Sequence, residues 1–261
     1  MVGLHDPCYV TDWKGCVMIS LATLPMGKSS LAGCLSCNAR ALSFCSVLDS
    51  EALSRLAGLA TVVEIGAGIG FIHEGESAEH FFNLTEGSAK VYKLLPDGRR
   101  QITGFVQAGD FLGLAAGRTY AFSAEALEPV RACRFSRPRL RAFLDDFPAL
   151  ERRLLEQASN ELVVAQEQML LLGRKTARER VASFLRSRAA LVLATRDSDG
   201  LSLSMSRADI ADYLGLTIET VSREFTALRK SAVIEIRNAS EVTIRHPSAL
   251  KLIADGASSF N

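Results

Sequence analysis

The sequence contains no long apolar run and no excess of charge of one sign. Hydrophobic residues make up 48% of the 261 residues. No stretch reaches the roughly 18 consecutive apolar residues that a membrane-spanning helix needs. The formal net charge is +1, which excludes a global electrostatic attraction to nucleic acid or to a membrane surface. Any nucleic-acid-binding surface must therefore be local.

Cysteines are too few to form a disulfide scaffold. The chain has six cysteines, and they do not pair at regular spacings. The mildly apolar stretch 15–26 lacks the basic start of an export signal, so we expect a cytoplasmic protein with reduced thiols. In that setting, clustered cysteines favour metal or redox chemistry. A grouping of acid, base and nucleophile residues is also missing, so we expect no enzymatic activity.

Three of the cysteines are clustered and one is remote. Cys34 and Cys37 form a C-x-x-C pair, Cys45 follows after a gap of seven residues, and Cys133 lies far downstream. A C-x-x-C pair can turn both sulfurs toward one centre from a short loop. The pattern therefore predicts a four-thiol metal site that joins an N-terminal segment to a folded body. Zinc, an iron–sulfur cluster and a thiol redox switch all remain open at this point.

Chain texture divides the N-terminal half into an extension and a strand-rich body. Residues 1–33 have no sustained hydrophobic period and are interpreted as a poorly ordered extension; Cys8 and Cys16 within it are read as incidental thiols. Residues 34–137 combine the cysteine-rich loop with short strand-like runs separated by glycine-rich turns. Such runs predict an antiparallel β-sandwich or a jelly-roll barrel. Cys133 falls within its last predicted strand, Val130–Phe135.

A long helix is predicted in the region 138–173. Pro148 stands where a proline opens a helix, and apolar residues then recur at heptad spacing as far as Leu172. This pattern favours a dimerisation helix over an ordinary buried helix, although it does not identify which apolar stripe faces the partner. The residues expected at the dimer interface are Leu155, Leu162, Val163, Gln166, Met169 and Leu170.

Residues 174–246 predict a winged helix-turn-helix, followed by a tail over 247–261. Ser206 is expected to cap the first helix of the motif, Gly215 to end it and Thr217 to cap the second helix. Side chains near the start of the second helix would meet base edges in the DNA major groove. The predicted DNA-binding set is Ser206, Thr217, Glu219, Thr220, Ser222 and Arg223. Six Lys or Arg residues between positions 171 and 190 are either a solvated face or phosphate contacts.

Three motifs together give the chain a family resemblance. They are Gly109-Asp-Phe-Leu-Gly, Met169-Leu-Leu-Leu and Leu214-Gly-Leu-Thr-Ile-Glu-Thr-Val-Ser-Arg. From about Cys34 to Arg245 the chain resembles the Crp/Fnr family of bacterial transcription regulators. The resemblance implies an α+β fold with an N-terminal antiparallel β jelly-roll domain of the cyclic-nucleotide-binding type. A long dimerisation helix and a C-terminal winged helix-turn-helix would follow.

The cysteines resemble those of the oxygen-sensing Fnr branch. That resemblance implies a 4Fe–4S cluster bound by Cys34, Cys37, Cys45 and Cys133, and the gap before Cys45 is similar to that of the rhizobial FnrN type. It also implies that the intact cluster favours the dimer and that oxygen degrades it toward a 2Fe–2S form and the monomer. The controlled genes would be anaerobic or microaerobic ones.

The resemblance further implies partners for the protein. A homodimer would bind double-stranded DNA at a palindrome with TTGAT-like half-sites, and the loop Leu95–Gln101 would contact RNA polymerase. The resemblance implies no cyclic nucleotide. Members of the family that bind nucleotides have Glu and Arg at the places where this chain has Leu114 and Phe122, so a cyclic phosphate would lack its bidentate partner. A regulator that responds to another small molecule remains an alternative.

Overall fold

The computed structural model describes residues 26–114, 117–195, 201–238 and 240–257. Within these residues the chain forms a two-sheet β domain, two helices that lead away from it, and a C-terminal helical unit with a small β-sheet. The predicted fold class is therefore confirmed. None of the described helices is both long enough and apolar enough to span a membrane.

The N-terminal domain packs a five-stranded sheet against a four-stranded one. The strand orders are β1-β2-β9-β4-β7 and β3-β8-β5-β6, and the pairings are antiparallel. The apolar residues of both sheets alternate inward and form a core that includes Phe71 and Phe82. The strands are β1 Met26–Lys28, β2 Ala60–Ile65, β3 Gly70–Ile72, β4 His80–Glu86, β5 Ser88–Leu94, β6 Arg100–Gln107, β7 Phe111–Leu112, β8 Ser123–Ala126 and β9 Val130–Ser136.

The prediction of a poorly ordered extension over residues 1–33 is wrong for residues 26–33. Strand β1 pairs with β2, and helix α1 (Leu31–Leu35) begins at a Ser30 cap. Segments of three to five residues are too short to show a hydrophobic period, and β1 gains its backbone hydrogen bonds from the edge of a sheet formed elsewhere in the chain. Residues 1–25, with Cys8 and Cys16, lie outside the described residues.

Three further helices pack on the β domain, and the last two of them lead from it to the C-terminal unit. Helix α2 (Ser50–Leu59) is capped by Asp49, and α3 (Arg137–Asp146) follows the last barrel strand. Helix α4 (Pro148–Arg174) begins at Pro148, as predicted. The first turns of α4 pack through Leu150 and Leu154 into a hydrophobic cluster shared with α2, α3 and the five-stranded sheet.

The C-terminal unit has the predicted helix-turn-helix and wing. Ser206 and Asp209 form a capping box at the start of α6, Gly215 ends that helix at φ 61°, and Thr217 caps α7. These three local predictions are confirmed. The elements are α5 Ala177–Thr195, β10 Leu201–Ser202, α6 Arg207–Leu214, α7 Ile218–Lys230, β11 Ile234–Ile236, β12 Glu241–Ile244 and α8 Pro247–Ala254. Strand β10, which the sequence did not predict, adds two residues to the wing hairpin.

Buried charges join the barrel to helix α6. Lys90 Nζ on β5 lies 2.8 Å from Glu125 and 2.9 Å from Asp209, and its side chain is only 8% exposed. Arg100 adds contacts of 3.2 Å to Asp209 and 2.9 Å to Asp212. A buried, mutually paired set of this kind fixes the orientation of the helix-turn-helix on the barrel.

The predicted exposed loop Leu95–Gln101 is only partly exposed. Residues Leu95–Arg99 form an exposed turn, in which the Leu95 carbonyl oxygen accepts from the Gly98 N–H at 2.9 Å. The Gln101 amide, however, donates to the carbonyl oxygens of Asp212 and Tyr213, and Arg100 pairs with α6 as described. The surface left free for a partner therefore ends at Arg99.

Candidate metal centre and DNA-reading surface

The four predicted cysteine ligands line one cavity. Cys34, Cys37 and Cys45 approach it from α1 and the loop that follows, and Cys133 approaches it from strand β9. The cavity has a volume of about 280 Å³. Cys133 sits between β2 and β4, directly opposite Val62 on one side and Asn83 on the other. Tertiary folding thus brings together thiols that are up to 99 positions apart (from 34 to 133).

Short-range capping shapes the loop that carries three of these cysteines. The Ser30 hydroxyl accepts from the Gly33 N–H and starts the helix that contains Cys34. The Ser43 hydroxyl accepts from the Cys45 N–H and starts a 3₁₀ turn, Phe44–Val47. The Arg40 guanidinium donates to the Leu48 carbonyl oxygen at 3.2 Å. The two serine caps thus fix the short turns that contain Cys34 and Cys45.

Gly109 allows this loop to lie directly on the barrel. Its φ is +102°, and a Cβ built there would lie 2.7 Å from Cβ of Leu42 in the cysteine loop. Only glycine satisfies both the backbone angle and the close approach. Gly109 belongs to the motif Gly109-Asp-Phe-Leu-Gly, so the structure supplies a physical reason for its first residue.

We predict that Gly109→Ala will displace the cysteine loop. The strained backbone and the Leu42 clash should lower the free energy of unfolding by about 1–3 kcal/mol, measured by urea titration. Gly104→Ala is the matched control on strand β6, because no atom lies within 4 Å of its added Cβ and its φ is not positive. Equal effects of the two substitutions would contradict this role for Gly109.

Burial governs the protonation of two of the thiols. Desolvation, together with the neighbouring thiols, raises the pKa of Cys133 to about 12. Desolvation likewise raises the pKa of Cys45 to about 11, against an opposing hydrogen bond from Ser43. Both are therefore neutral thiols near pH 7 in the metal-free chain. Since a metal binds the thiolate, loading this site would release protons.

The thiols surround the cavity without converging on one point. Among the described residues, no three His, Cys, Asp or Glu side chains lie close enough together to hold a single metal ion. A zinc ion needs its sulfur ligands at about 2.3 Å from one centre, whereas in an iron–sulfur cluster the cysteine sulfurs ligate several irons of a larger group. A four-thiol donor set that lines one cavity has the ligand chemistry that either kind of metal group uses.

A hydrophobic cluster connects the cysteines to the long helix. Cys34, Cys45 and Cys133 pack against a core that also contains Leu150 and Leu154 of α4. Phe44, next to Cys45, is fully buried in this core, with its ring centroid 4.8 Å from that of Phe111. A displacement of the cysteine loop would therefore shift the start of α4, because a tightly packed core transmits displacement.

The other side of α4 carries an exposed apolar face. Leu155 is 67% exposed and Met169 is 69% exposed, while Leu150, Leu154 and Leu171 are buried within the chain. At about 100° per residue the predicted interface residues all fall on this exposed face. The members of this face are Leu155, Leu162, Val163, Gln166, Met169 and Leu170. The structure thus resolves which stripe is left for a partner.

The start of α7 presents the predicted base-reading side chains. Glu219, Ser222 and Arg223 are exposed. Hydrogen bonding to its own backbone N–H and to Thr217 lowers the pKa of Glu219, so Glu219 is a carboxylate acceptor at neutral pH. Thr220 is half-buried and its hydroxyl accepts from Thr217. Ser206 is engaged in the α6 capping box, so its observed role is local.

The basic residues before the motif mainly hold the unit together. Arg180 donates to the carbonyl oxygens of Leu172 at 2.8 Å and Leu214 at 2.9 Å, which ties the end of α4 to the end of α6. Lys175 donates to Ser183 and to the Ala254 carbonyl, and Arg186 pairs with Asp255. Sequence reasoning missed these roles because the partners are carbonyls and distant acids.

The region of the nucleotide cassette has internal contacts. The Ser123 hydroxyl accepts from the Glu74 N–H at 3.0 Å, and Phe122 packs against the barrel core. The absence of a cyclic nucleotide ligand stays a prediction based on Leu114 and Phe122.

Two family models match the chain, one on each side of the long helix. The model described as Cyclic nucleotide-binding domain matches residues 62–147, and the model described as Crp-like helix-turn-helix domain matches residues 179–253. Both matches coincide with units of the fold described above.

Relatives and a solved structure match over most of the chain. The nitrogen fixation regulation protein FixK of Bradyrhizobium diazoefficiens is 41% identical over 222 residues, which cover 85% of this chain and 93% of that protein. The transcriptional activator protein FnrL of Cereibacter sphaeroides is 36% identical over 227 residues, 85% of this chain and 92% of that protein. The structure of FixK2 from Bradyrhizobium japonicum superposes with a TM-score of 0.71 at 34% identity, covering 77% of this chain and 99% of that one. The chain therefore belongs to the Crp/Fnr family of transcription regulators, whose members bind DNA and act as dimers.

Proposed function

We propose that this protein is an oxygen-responsive transcription regulator that binds a 4Fe–4S cluster through Cys34, Cys37, Cys45 and Cys133. One observation carries the proposal: all four cysteines line one cavity, and three of them pack against the hydrophobic cluster that holds the start of α4. The sensing site and the dimer helix thus share a core. The controlled genes would be those used under anaerobic or microaerobic conditions.

The residues of the chain have separable tasks at this site. Cys133 is held between two strands of the sheet, so it would anchor the group to the barrel, and the three loop cysteines would complete the ligand set. When bound, the cluster would be the part of the site that reacts with oxygen. Phe44 and the Leu150–Leu154 turn then set how α4 packs on the barrel. A change in the bound group would move the cysteine loop, and movement of the loop would change how α4 packs on the barrel.

Dimerisation would follow from the exposed apolar face of α4. Burying this face against a second copy removes large apolar side chains from water, at roughly 25 cal/mol per Å². A two-fold dimer places two α7 helices about one DNA turn apart, and this requires a palindromic site. Glu219, Ser222 and Arg223 would read half-sites similar to TTGAT.

The turn Leu95–Arg99 is the proposed contact for RNA polymerase. It is exposed, and the two residues that follow it, Arg100 and Gln101 on β6, fix its base by hydrogen bonds to Asp212 of α6. A rigidly held, exposed turn beside the DNA-reading unit can be presented at a defined position on the promoter. We propose no cyclic nucleotide as a ligand of the barrel.

We predict that Arg223→Ala will weaken DNA binding at one base-pair position of each half-site. Its guanidinium can donate two hydrogen bonds to a guanine edge, so the loss should be about 1–3 kcal/mol per half-site. Competition titrations with duplexes changed at single positions measure it. Arg229→Ala, in the last turn of the same helix and also exposed, is the control. A loss that is uniform over all DNA sequences would show that Arg223 contacts only phosphate.

The proposed function is tested by purification without oxygen. The expected result is a coloured protein with close to four irons and four sulfides per chain, dimeric and bound to a palindromic duplex, which loses all these properties in air. A zinc-loaded protein would favour a structural metal site, and metal-free thiols that alone respond to oxidants would favour a redox switch. A colourless, iron-free protein that dimerises and binds DNA equally well in air would overturn the proposal.

A further inference from the structure

We propose that the side-chain amide of Asn83 donates a hydrogen bond to the group bound between the cysteines. This hydrogen bond positions and stabilises the bound group. The inference rests on the proposed function and deepens it. Asn83 lies on β4, is 2% exposed, and lines the same cavity as the four thiols. The cysteine pattern and the family motifs do not include it.

Strand register places Asn83 beside the barrel cysteine. Asn83 on β4 is the direct cross-strand partner of Cys133 on β9, and directly opposed residues project from the same face with Cβ atoms about 4.5–5.5 Å apart. Val62, the partner of Cys133 on the other side, is apolar. Asn83 therefore supplies the amide in the immediate strand neighbourhood of Cys133.

The carboxamide of Asn83 is incompletely satisfied by the protein. Its Oδ1 has no accessible surface and no hydrogen-bond partner among the described residues. Buried polar groups are nearly always paired, and one that is not calls for a specific reason. A leucine or valine would suit this strand position better if packing alone mattered. Because no protein group fixes this carboxamide through its Oδ1, its NH2 group is free to turn toward the thiols that line the same cavity, which indicates a task at the site.

The chemistry of the site supplies that task. Thiolate and sulfide sulfurs accept hydrogen bonds, and the number of such bonds tunes the reduction potential and stability of an iron–sulfur group. The Asn83 amide is neutral, so it can donate without adding charge beside four thiolates. Its expected effect is to slow the loss of the bound group in air.

Two substitutions that are isosteric with each other, although not with asparagine, separate donation from shape. Asn83→Val removes the donor, whereas Asn83→Thr has the same branched shape and keeps an O–H donor. Asn38 provides matched controls, Asn38→Val and Asn38→Thr, because it lines the same cavity from the loop but is exposed. All five proteins, wild type included, are purified without oxygen, and their iron and sulfide contents are measured before use.

Two readouts are then taken. In air, Asn83→Val should lose its visible absorbance about tenfold faster than wild type, Asn83→Thr should stay close to wild type, and both Asn38 variants should be unchanged. In the metal-free form, Asn83→Val should unfold about 2–4 °C higher than wild type, because an unsatisfied buried group is gone. Opposite signs in the two forms are not expected of a residue with only a packing role.

The outcomes distinguish the inference from the function on which it rests. If wild type loads iron but Asn83→Val decays at the wild-type rate, the role of Asn83 is overturned and the proposed function stands. If Val and Thr decay equally fast, shape rather than donation matters, and the role is overturned again. If wild type holds no iron, the proposed function fails, and the role of Asn83 fails with it.

Discussion

Cys133→Ser should abolish cluster binding, dimerisation and sequence-specific DNA binding together. The hydroxyl is a poor ligand for iron, and Cys133 is the one ligand held by the sheet, so its loss frees the loop cysteines from the barrel. Because specific binding exceeds non-specific binding by about 10³-fold or more, anaerobic affinity for the palindrome should fall by at least about that factor. Iron and sulfide analysis, sedimentation and fluorescence anisotropy measure the three effects.

The control for this experiment is Cys16→Ser. The wide separation of Cys16 from the clustered cysteines predicts that it is not a ligand, so iron content and DNA affinity should stay at wild-type levels. If Cys133→Ser instead retained iron and dimerised, the group would have to be held by the loop cysteines alone. The proposal that Cys133 links the bound group to the barrel and so to dimerisation would then be wrong.

Lys90→Met should cause a large loss of stability. The substitution leaves Asp209 buried without its lysine partner, and removing one member of a buried ion pair costs about 3–5 kcal/mol. Arg100 and Ser206 still contact Asp209, so we expect a value near the lower end, about 3 kcal/mol. The free energy of unfolding from urea titration measures it. DNA affinity should fall as well, since the pair fixes α6 on the barrel.

Lys93→Met is the matched control on the same strand. Lys93 pairs with Glu74 at 2.9 Å, but its side chain is 51% exposed, and exposed pairs contribute about 0–1 kcal/mol. A similar loss for both variants would show that Lys90 acts through general charge and not through its buried contacts.

The Lys90→Met effect should also depend on pH. Burial by itself would raise the pKa of Asp209, but hydrogen bonds from Ser206 and Lys90 outweigh it and leave the pKa below its ordinary value of 3.8. Ionised Asp209 therefore stabilises the fold above that value, and the contribution is lost as pH falls through the folded pKa. The stability difference between wild type and Lys90→Met should narrow over the same range.

Much of this protein follows from local sequence. The caps Ser206 and Thr217, the helix end at Gly215 and the helix start at Pro148 depend on residues within one turn of each other, so their spacing alone determined them. The strand-rich body was likewise visible in glycine-separated apolar runs. The four candidate ligands were found because cysteine is rare in this chain and clustered.

Features that depend on contacts between distant segments could not be predicted from the sequence. Two such features are contacts between segments far apart in sequence, namely the pairing of β1 with β2 and the burial of Lys90 against Asp209. The third is the exposed side of α4, because periodicity does not encode which distant surface covers a residue. Asn83 gives the clearest case, because an asparagine in a strand has no meaning until the register puts it opposite Cys133. The residue types fix which chemical groups the chain offers, whereas folding fixes which of those groups share a cavity, because contact depends on register and packing and not on order along the chain.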